Sequence, residues 1–109
     1  MDTEEALIYV WDILDEYYQE SQDDEAGALL HDLDPNPIRL NTGAKTADPA
    51  AWGDWIDALN KVTPNGILTK TEAEKSIIVL MEEYNAHHGF KLKKAIRYFQ
   101  KRLKTGGGR

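Results

Sequence analysis

The stretch LIYVWDILDEYY, residues 7–18, indicates the fold class of this chain. Its apolar side chains recur every three or four residues, which places them on one face of an α-helix. That face consists of Leu7, Val10, Trp11, Leu14, Tyr17 and Tyr18. Asp2, followed three residues later by Glu5, is typical of a capping box and predicts where this helix begins. We therefore expect an amphipathic first helix with an acidic outer side.

The helical period continues along the rest of the chain. A short second helix is predicted to end at about Leu33, and a third begins after Asp48-Pro49, because aspartate caps helices and proline fits the first helical position. A fourth begins after Thr69 and ends before Gly89, and a fifth covers about 92–103. Strict apolar–polar alternation is missing. The sequence therefore predicts an all-α protein, a compact bundle of about five helices.

One irregular loop, at about 34–47, is predicted between the second and third helices. Asp34-Pro35-Asn36-Pro37 cannot continue a helix, and Ile38–Leu40 is predicted as a short extended piece. The 109 residues suit one domain. We expect a single helical domain over residues 1–105 and a flexible, glycine-rich tail over 106–109.

Charge is distributed unevenly along the chain. The formal net charge is −6, but residues 1–60 contain 15 acidic and two basic residues, and residues 61–109 contain four acidic and 11 basic residues. The two parts therefore carry formal charges of −13 and +7. The opposite signs could attract each other within the fold, or the acidic part could attract a cationic partner.

The candidate catalytic and metal-binding patterns are incomplete. Asp32-x-Asp34-x-Asn36 begins like a calcium loop, but proline and glycine stand where glycine and glutamate are needed. His87-His88 with Glu83 offers too few metal ligands. Asp54 and Asp57 are predicted on a solvent face, whereas acid–base catalysis needs a desolvated carboxyl group. Cysteine is absent. We expect no enzymatic activity, no catalytic residue, no metal and no cofactor.

The sequence also bears on compartment and on two classes of partner. The longest apolar run, Ala6–Trp11, has six residues, whereas a membrane helix needs roughly 20. The acidic stretch Met1–Glu5 is unlike a signal peptide. The basic last helix could follow phosphates, but the acidic half would be repelled by a nucleic acid. We expect a cytoplasmic protein with neither a membrane nor a nucleic-acid partner.

An ordered set of motifs resembles a known group of proteins. The motifs are Tyr17-Tyr18, Asp23-Asp24 with the following GALL at 27–30, and the string DPAAWxDW at 48–55. They resemble small bacterial immunity proteins of polymorphic-toxin and contact-dependent growth inhibition systems, over roughly residues 3–60. The last string is the most specific part. The resemblance implies a protein that binds a cognate toxin domain, often a nuclease, and has no chemistry of its own.

The candidate partner-binding residues are mostly carboxylates that would pair with lysine or arginine of the toxin. The first choices lie on the first helix and around the turn that follows it: Asp15, Glu16, Asp23, Asp24 and Glu25. The second choices are Asp32, Asp34, Asp54 and Asp57, with Tyr18 and Trp52 as apolar anchors. The alternative is a non-enzymatic adaptor or self-associating structural domain whose oppositely charged halves stack head to tail. The oligomeric state stays open.

Overall fold

The chain forms helices at the places where the apolar period and the capping residues predict them. The computed structural model describes residues 1–65 and 68–105. Within these residues the helices are α1 (Thr3–Ser21), α2 (Asp24–Leu33), α3 (Asn36–Arg39), α4 (Pro49–Val62), α5 (Lys70–His87) and α6 (Lys93–Lys104). The described residues contain no strand. The predicted all-α bundle of about five helices is confirmed, with α3 as an additional single turn.

Side-chain caps fix the first residues of α1, α4 and α5. The Asp2 carboxylate accepts a hydrogen bond from Glu5 N at 2.8 Å, and Glu5 Oε1 accepts one from Asp2 N at 3.0 Å, which completes the predicted capping box. Asp48 caps α4 and Thr69 caps α5. Gly89 follows α5 with φ +73°, a conformation that favours glycine.

The helix α5 lies at the centre of the bundle. It packs against α1, α4 and α6, while α2 packs against α1 and α4. The largest fully buried side chains include Trp55 of α4 and Phe99 of α6. Trp55 Nε1 also donates a hydrogen bond to Thr3 O at 3.1 Å, which connects α4 to the start of α1. This arrangement leaves one side of the α1–α2 pair facing solvent.

A buried carboxylate joins three of the helices. Glu74 of α5 has no exposed surface. It accepts hydrogen bonds from Arg102 Nε of α6 at 2.9 Å and from the Tyr9 hydroxyl of α1 at 2.8 Å. The hydrogen bond to Glu74 raises the pKa of Arg102, while burial and the same carboxylate raise the pKa of Tyr9. Because an unpaired buried charge is strongly destabilising, these contacts fix how α1, α5 and α6 pack.

The irregular loop contains one helical turn. The predicted extended piece at Ile38–Leu40 is wrong, because α3 occupies this part of the chain. Pro37 lies in the first turn of α3, where the fixed φ of proline suits a helix. The Asp34 carboxylate also accepts a backbone hydrogen bond in this turn at 2.9 Å. Ala47 N donates to Asp34 O at 3.0 Å and closes the loop.

The described residues form one compact unit. Their radius of gyration is 12.9 Å, close to the value of about 13 Å expected for 100 residues. None of the helices in the described residues combines the length and the apolar character that spanning a membrane requires. The predicted tail at 106–109 lies outside the described residues.

The pairing of Glu74 can be tested by removing its cationic partner. We expect Arg102→Met to lower the free energy of unfolding by about 3 kcal/mol, because Glu74 would stay buried with only the Tyr9 hydroxyl as a partner. The matched control is Arg97→Met on the exposed side of α6, with an expected change below about 0.5 kcal/mol. Urea unfolding measures both, and equal effects would contradict the structural role of this pair.

Candidate protein-binding site

A shallow groove between α1 and α2 collects four of the predicted partner-binding residues. Its lining includes Asp15 and Tyr18 of α1, Asp24 of α2 and Asp34, which follows α2 directly. The groove has a volume of about 310 Å³ and is open to solvent. This shape suits side chains of another protein better than an enclosed small molecule.

Contacts between α1 and α2 hold the two walls of the groove in place. At the turn, Gln22 has the left-handed φ of 56°, and Asp23 then caps α2. The Tyr17 hydroxyl donates to Asp23 Oδ2 at 2.7 Å. Further along, Trp11 Nε1 donates to Leu30 O at 2.9 Å. The groove is therefore already formed in the unbound chain, which lowers the ordering cost of binding.

The position of the Tyr18 ring depends on a glycine in α2. A Cβ atom at Gly27 would lie 2.7 Å from Tyr18 Cε1, closer than such atoms approach each other. Glycine therefore lets the ring lie against the backbone of α2. Tyr18 is partly exposed, and no described residue forms a hydrogen bond with its hydroxyl group. A bound protein could bury this ring and use the hydroxyl group, as interface tyrosines do.

The carboxylates of the groove are not neutralised by cationic side chains. Asp15 accepts a hydrogen bond from a glutamine side chain at 3.2 Å, and Asp34 accepts the backbone bond of α3. Asp24 is exposed at the start of α2. The lining contains no lysine or arginine, and within the described residues none of the three forms an ion pair. The groove is therefore negative and carries two aromatic rings.

The same pattern extends over the acidic part of the chain. Residues 1–60 contain 15 carboxylates. Among the described residues, two of them lie within 4.0 Å of a cationic group: Glu4 with Lys45 and Asp12 with Arg39. Most of the negative charge predicted from the sequence is therefore not balanced by ion pairs inside the fold.

One of the two groove rings, Trp11, already has a cationic neighbour within the chain, Arg39. The Arg39 guanidinium carbon lies 5.8 Å from the centroid of the Trp11 ring. Arg39 Nη2 also lies 3.5 Å from Asp12 Oδ1. An aromatic face beside a carboxylate is the combination that suits the planar, charged guanidinium group.

Asp23 and Glu25 have roles within the fold. Asp23 caps α2 and accepts the Tyr17 hydroxyl, and burial together with this hydrogen bond raises the pKa of Tyr17 to about 12. Glu25 Oε1 accepts a hydrogen bond from Lys91 N at 2.7 Å, which connects α2 to the segment between α5 and α6. These two predicted residues are the sequence neighbours of Asp24, which lines the groove, but they do not line it themselves.

A second group of predicted residues lies between α4 and α5. Asp54 and Asp57 line a separate cavity of about 100 Å³. The Tyr84 hydroxyl donates to Asp54 Oδ2 at 2.7 Å. Burial raises the pKa of Tyr84 most. The hydrogen bond to Asp54 and the negative charges of Asp54, Asp32 and Asp48 raise this pKa further. The structure therefore brings Asp32 and Asp54 near the same tyrosine, away from the α1–α2 groove.

Glu16 and Trp52 lie outside both of these places. Glu16 is exposed on α1 and does not line the groove. Trp52 is partly buried, and Lys45 Nζ lies 6.0 Å from its ring centroid while it pairs with Glu4 Oε1 at 2.6 Å. The Trp52 ring therefore already has a cationic neighbour within the chain.

Among the described residues, no group of three or more histidine, aspartate or glutamate side chains has the geometry to hold a metal ion. The pair that the sequence suggested, His87 Nε2 and Glu83 Oε2, is 3.6 Å apart and exposed. Lys61, with a hydrogen bond to Glu83, and the nearby histidines lower the pKa of Glu83. This pair therefore has the geometry of a surface contact.

Several lining residues were not among the predicted ones. They are Trp11, Gly27, Leu30 and His31. Sequence signals could have indicated two of the four, Trp11 and Gly27. Trp11 precedes Tyr18 by seven residues and therefore shares its helix face. Gly27 within a helical pattern is unfavourable relative to alanine, which suggests close packing at that position.

Comparison of the chain with protein-family models, with curated proteins and with solved structures finds no significant match. The groove, its rings and its unpaired carboxylates are therefore the observations from which a function can be inferred.

The contact between Gly27 and Tyr18 can be tested with two glycine substitutions. Gly27→Ala is expected to destabilise the protein by about 1 kcal/mol, because the added methyl group displaces the tyrosine ring. Gly53→Ala in α4 is the matched control, since a Cβ there meets nothing within 4 Å. The free energy of unfolding of this control should rise by about 0.5 to 1 kcal/mol, because alanine favours the helix more than glycine does. Equal gains in urea unfolding would show that Tyr18 does not pack as described.

The bond between Tyr17 and Asp23 predicts a dependence of stability on alkaline pH. The unfolded chain loses the Tyr17 proton near the ordinary pKa of 10.0, whereas the folded chain keeps it up to about 12. The stability that the protonated Tyr17 hydroxyl adds to the folded state is fully present below pH 10. It is lost as the pH rises from 10 to about 12. Over this range we expect the free energy of unfolding to fall more steeply in the wild type than in Tyr17→Phe. Parallel decreases would contradict the raised pKa.

Proposed function

We propose that this chain is an immunity protein, which binds and neutralises a cognate bacterial toxin domain through the α1–α2 groove. The observation that carries the proposal is the set of unpaired carboxylates, Asp15, Asp24 and Asp34, beside two partly exposed aromatic rings. Such a surface complements a protein that presents lysine or arginine side chains. Inhibition needs only binding, so the chain would require no catalytic group of its own.

A nuclease is the class of toxin that best fits this surface. Nucleases contact the phosphate backbone of their substrate with cationic groups. Carboxylates placed on those groups would neutralise them and exclude the nucleic acid. The motifs at 17–30 and 48–55, which resemble those of immunity proteins, agree with this proposal, and the first of them contributes residues to the groove. A toxin of this class acts on nucleic acid in the bacterial cytoplasm, which is where the inhibitor would be needed.

The two features of the groove would act at different stages of binding. The negative charge would attract a cationic toxin and raise the association rate, to about 10⁸ M⁻¹s⁻¹ at low salt. Burial of the partly exposed Tyr18 ring would then slow dissociation. Electrostatic attraction weakens with ionic strength, so the association rate should fall as salt is added.

Toxin neutralisation can be tested in cells and with purified proteins. The partner to test is the toxin-like domain of any large open reading frame that is found beside this gene and ends in such a domain. We expect co-expression of the chain to restore growth of cells that produce this domain. The variant Asp15→Lys/Asp24→Lys should protect poorly, bind at least tenfold more weakly at low salt and show a flatter salt dependence, because it repels cationic groups.

The matched control reverses two exposed carboxylates outside the groove, Glu20→Lys and Glu82→Lys. This control should protect as well as the wild type. Loss of protection by both variants would indicate that net charge alone matters, and full protection by the groove variant would exclude the groove as the contact surface. Failure of the wild type to protect against this domain would contradict the proposed function itself.

A further inference from the structure

The outer side of α6 is a basic surface, which we name the basic face. It consists of the exposed residues Lys93, Lys94, Arg97, Lys101 and Lys104 of α6 and of Lys91, which precedes this helix. No acidic residue occurs between residues 91 and 105. Within the described part of the chain, none of these six cations forms an ion pair. Like the carboxylates of the α1–α2 groove, the cations of the basic face are therefore not neutralised by ion pairs within the described residues.

The core holds the basic face toward solvent. Ile96 and Phe99 are buried on the opposite side of α6. Arg102, on the same helix, pairs with the buried Glu74 at 2.9 Å. Because both contacts fix the rotation of α6, its exposed cations face outward.

Two carboxylates of the same chain lie near one end of this surface: Asp23 borders a depression lined by Lys91, Lys93 and Lys94, and Glu82 borders one lined by Lys93 and Arg97. Within the described residues neither carboxylate forms an ion pair with these cations, which leaves them available to a counter-charge on another molecule.

The cations of the basic face are also placed where they oppose helix formation. Lys93, Arg97 and Lys101 follow each other at intervals of four residues, so like charges are neighbours on the helix surface. Lys93 and Lys94 lie in the first turn, where the helix dipole is unfavourable for positive charge. Among residues 1–65 and 68–105, no side chain caps this end of α6. An acidic surface bound here would relieve both repulsions.

We infer that the basic face binds the α1–α2 groove of a second copy of this chain, in a head-to-tail contact. The two surfaces have opposite charge, and a convex helix can place its side chains in a groove between two helices. Each copy brings one of each surface, so the two are always present at equal concentration. The inference does not depend on the proposed function, although a second copy in the groove would compete with a toxin.

A head-to-tail contact leaves one free surface at each end of the assembly. Such contacts continue into longer assemblies unless they close into a ring. We therefore expect the mass from light scattering to exceed the 12.4 kDa of one chain at low salt and to rise with protein concentration. High salt should return it to 12.4 kDa, because the contact is electrostatic. A mass of one chain under all conditions would overturn the inference.

Two variants together give a sharper test. Arg97→Gln/Lys101→Gln removes charge from the basic face but keeps the groove, and Asp15→Asn/Asp24→Asn does the reverse. Each should be monomeric alone at low salt. Their mixture has one intact pair of surfaces and should form a complex of two chains that grows no further. Lys70→Gln/Lys75→Gln removes two exposed cations outside α6 and should associate like the wild type.

The outcomes distinguish the head-to-tail contact from association through net charge alone. Association of either the groove variant or the basic-face variant alone, or a monomeric mixture, would overturn the head-to-tail arrangement. Loss of association in the Lys70→Gln/Lys75→Gln control would also overturn it, because net charge rather than α6 would then be responsible. Arg97→Gln/Lys101→Gln keeps its groove, so it should still neutralise a toxin if the proposed function is correct. The two proposals can therefore fail independently.

Discussion

A fully buried carboxylate needs a cationic or hydrogen-bonding partner, and Glu74 is such a carboxylate in the central helix α5. Its contacts with Arg102 and Tyr9 connect α5 to α6 and to α1. The rotation of α6 is thereby fixed with its remaining cations outward, and α1 is fixed with one edge toward α2. The acidic part of the sequence thereby contributes the α1–α2 groove, and the basic part contributes the basic face of α6. Both proposed binding events use these surfaces.

Local signals in the sequence were sufficient to predict the five longer helices, but not α3. The capping residues Asp2, Asp48 and Thr69 and the apolar period located the beginnings of α1, α4 and α5, because caps and periodicity act over a few residues. The irregular loop was harder. Proline ends a helix when it falls in the interior, but it is favourable in the first turn of a new helix, which is where Pro37 lies. The sequence alone does not show which role this proline takes.

The site could be predicted only in part, because it depends on which helices are neighbours. Asp15, Tyr18 and Asp24 gather in one groove because α2 packs back on α1. Asp54 is a carboxylate of the same acidic half, yet it lies near Tyr84 in a different part of the bundle. Residue type and spacing do not contain this information. For the same reason the sequence did not reveal that Glu74 pairs with a residue 28 positions later.

The most direct measurement of the central claim is a map of backbone amide chemical shifts while a peptide of eight arginines is added at low salt. The peptide represents the cationic surface of a toxin. The account predicts the largest changes along the groove, at Asp15, Tyr18, Gly27 and His31, and their loss at high salt. Changes spread evenly over all acidic segments, or centred on Asp54 and Asp57, would contradict the assignment of the α1–α2 groove as the binding surface.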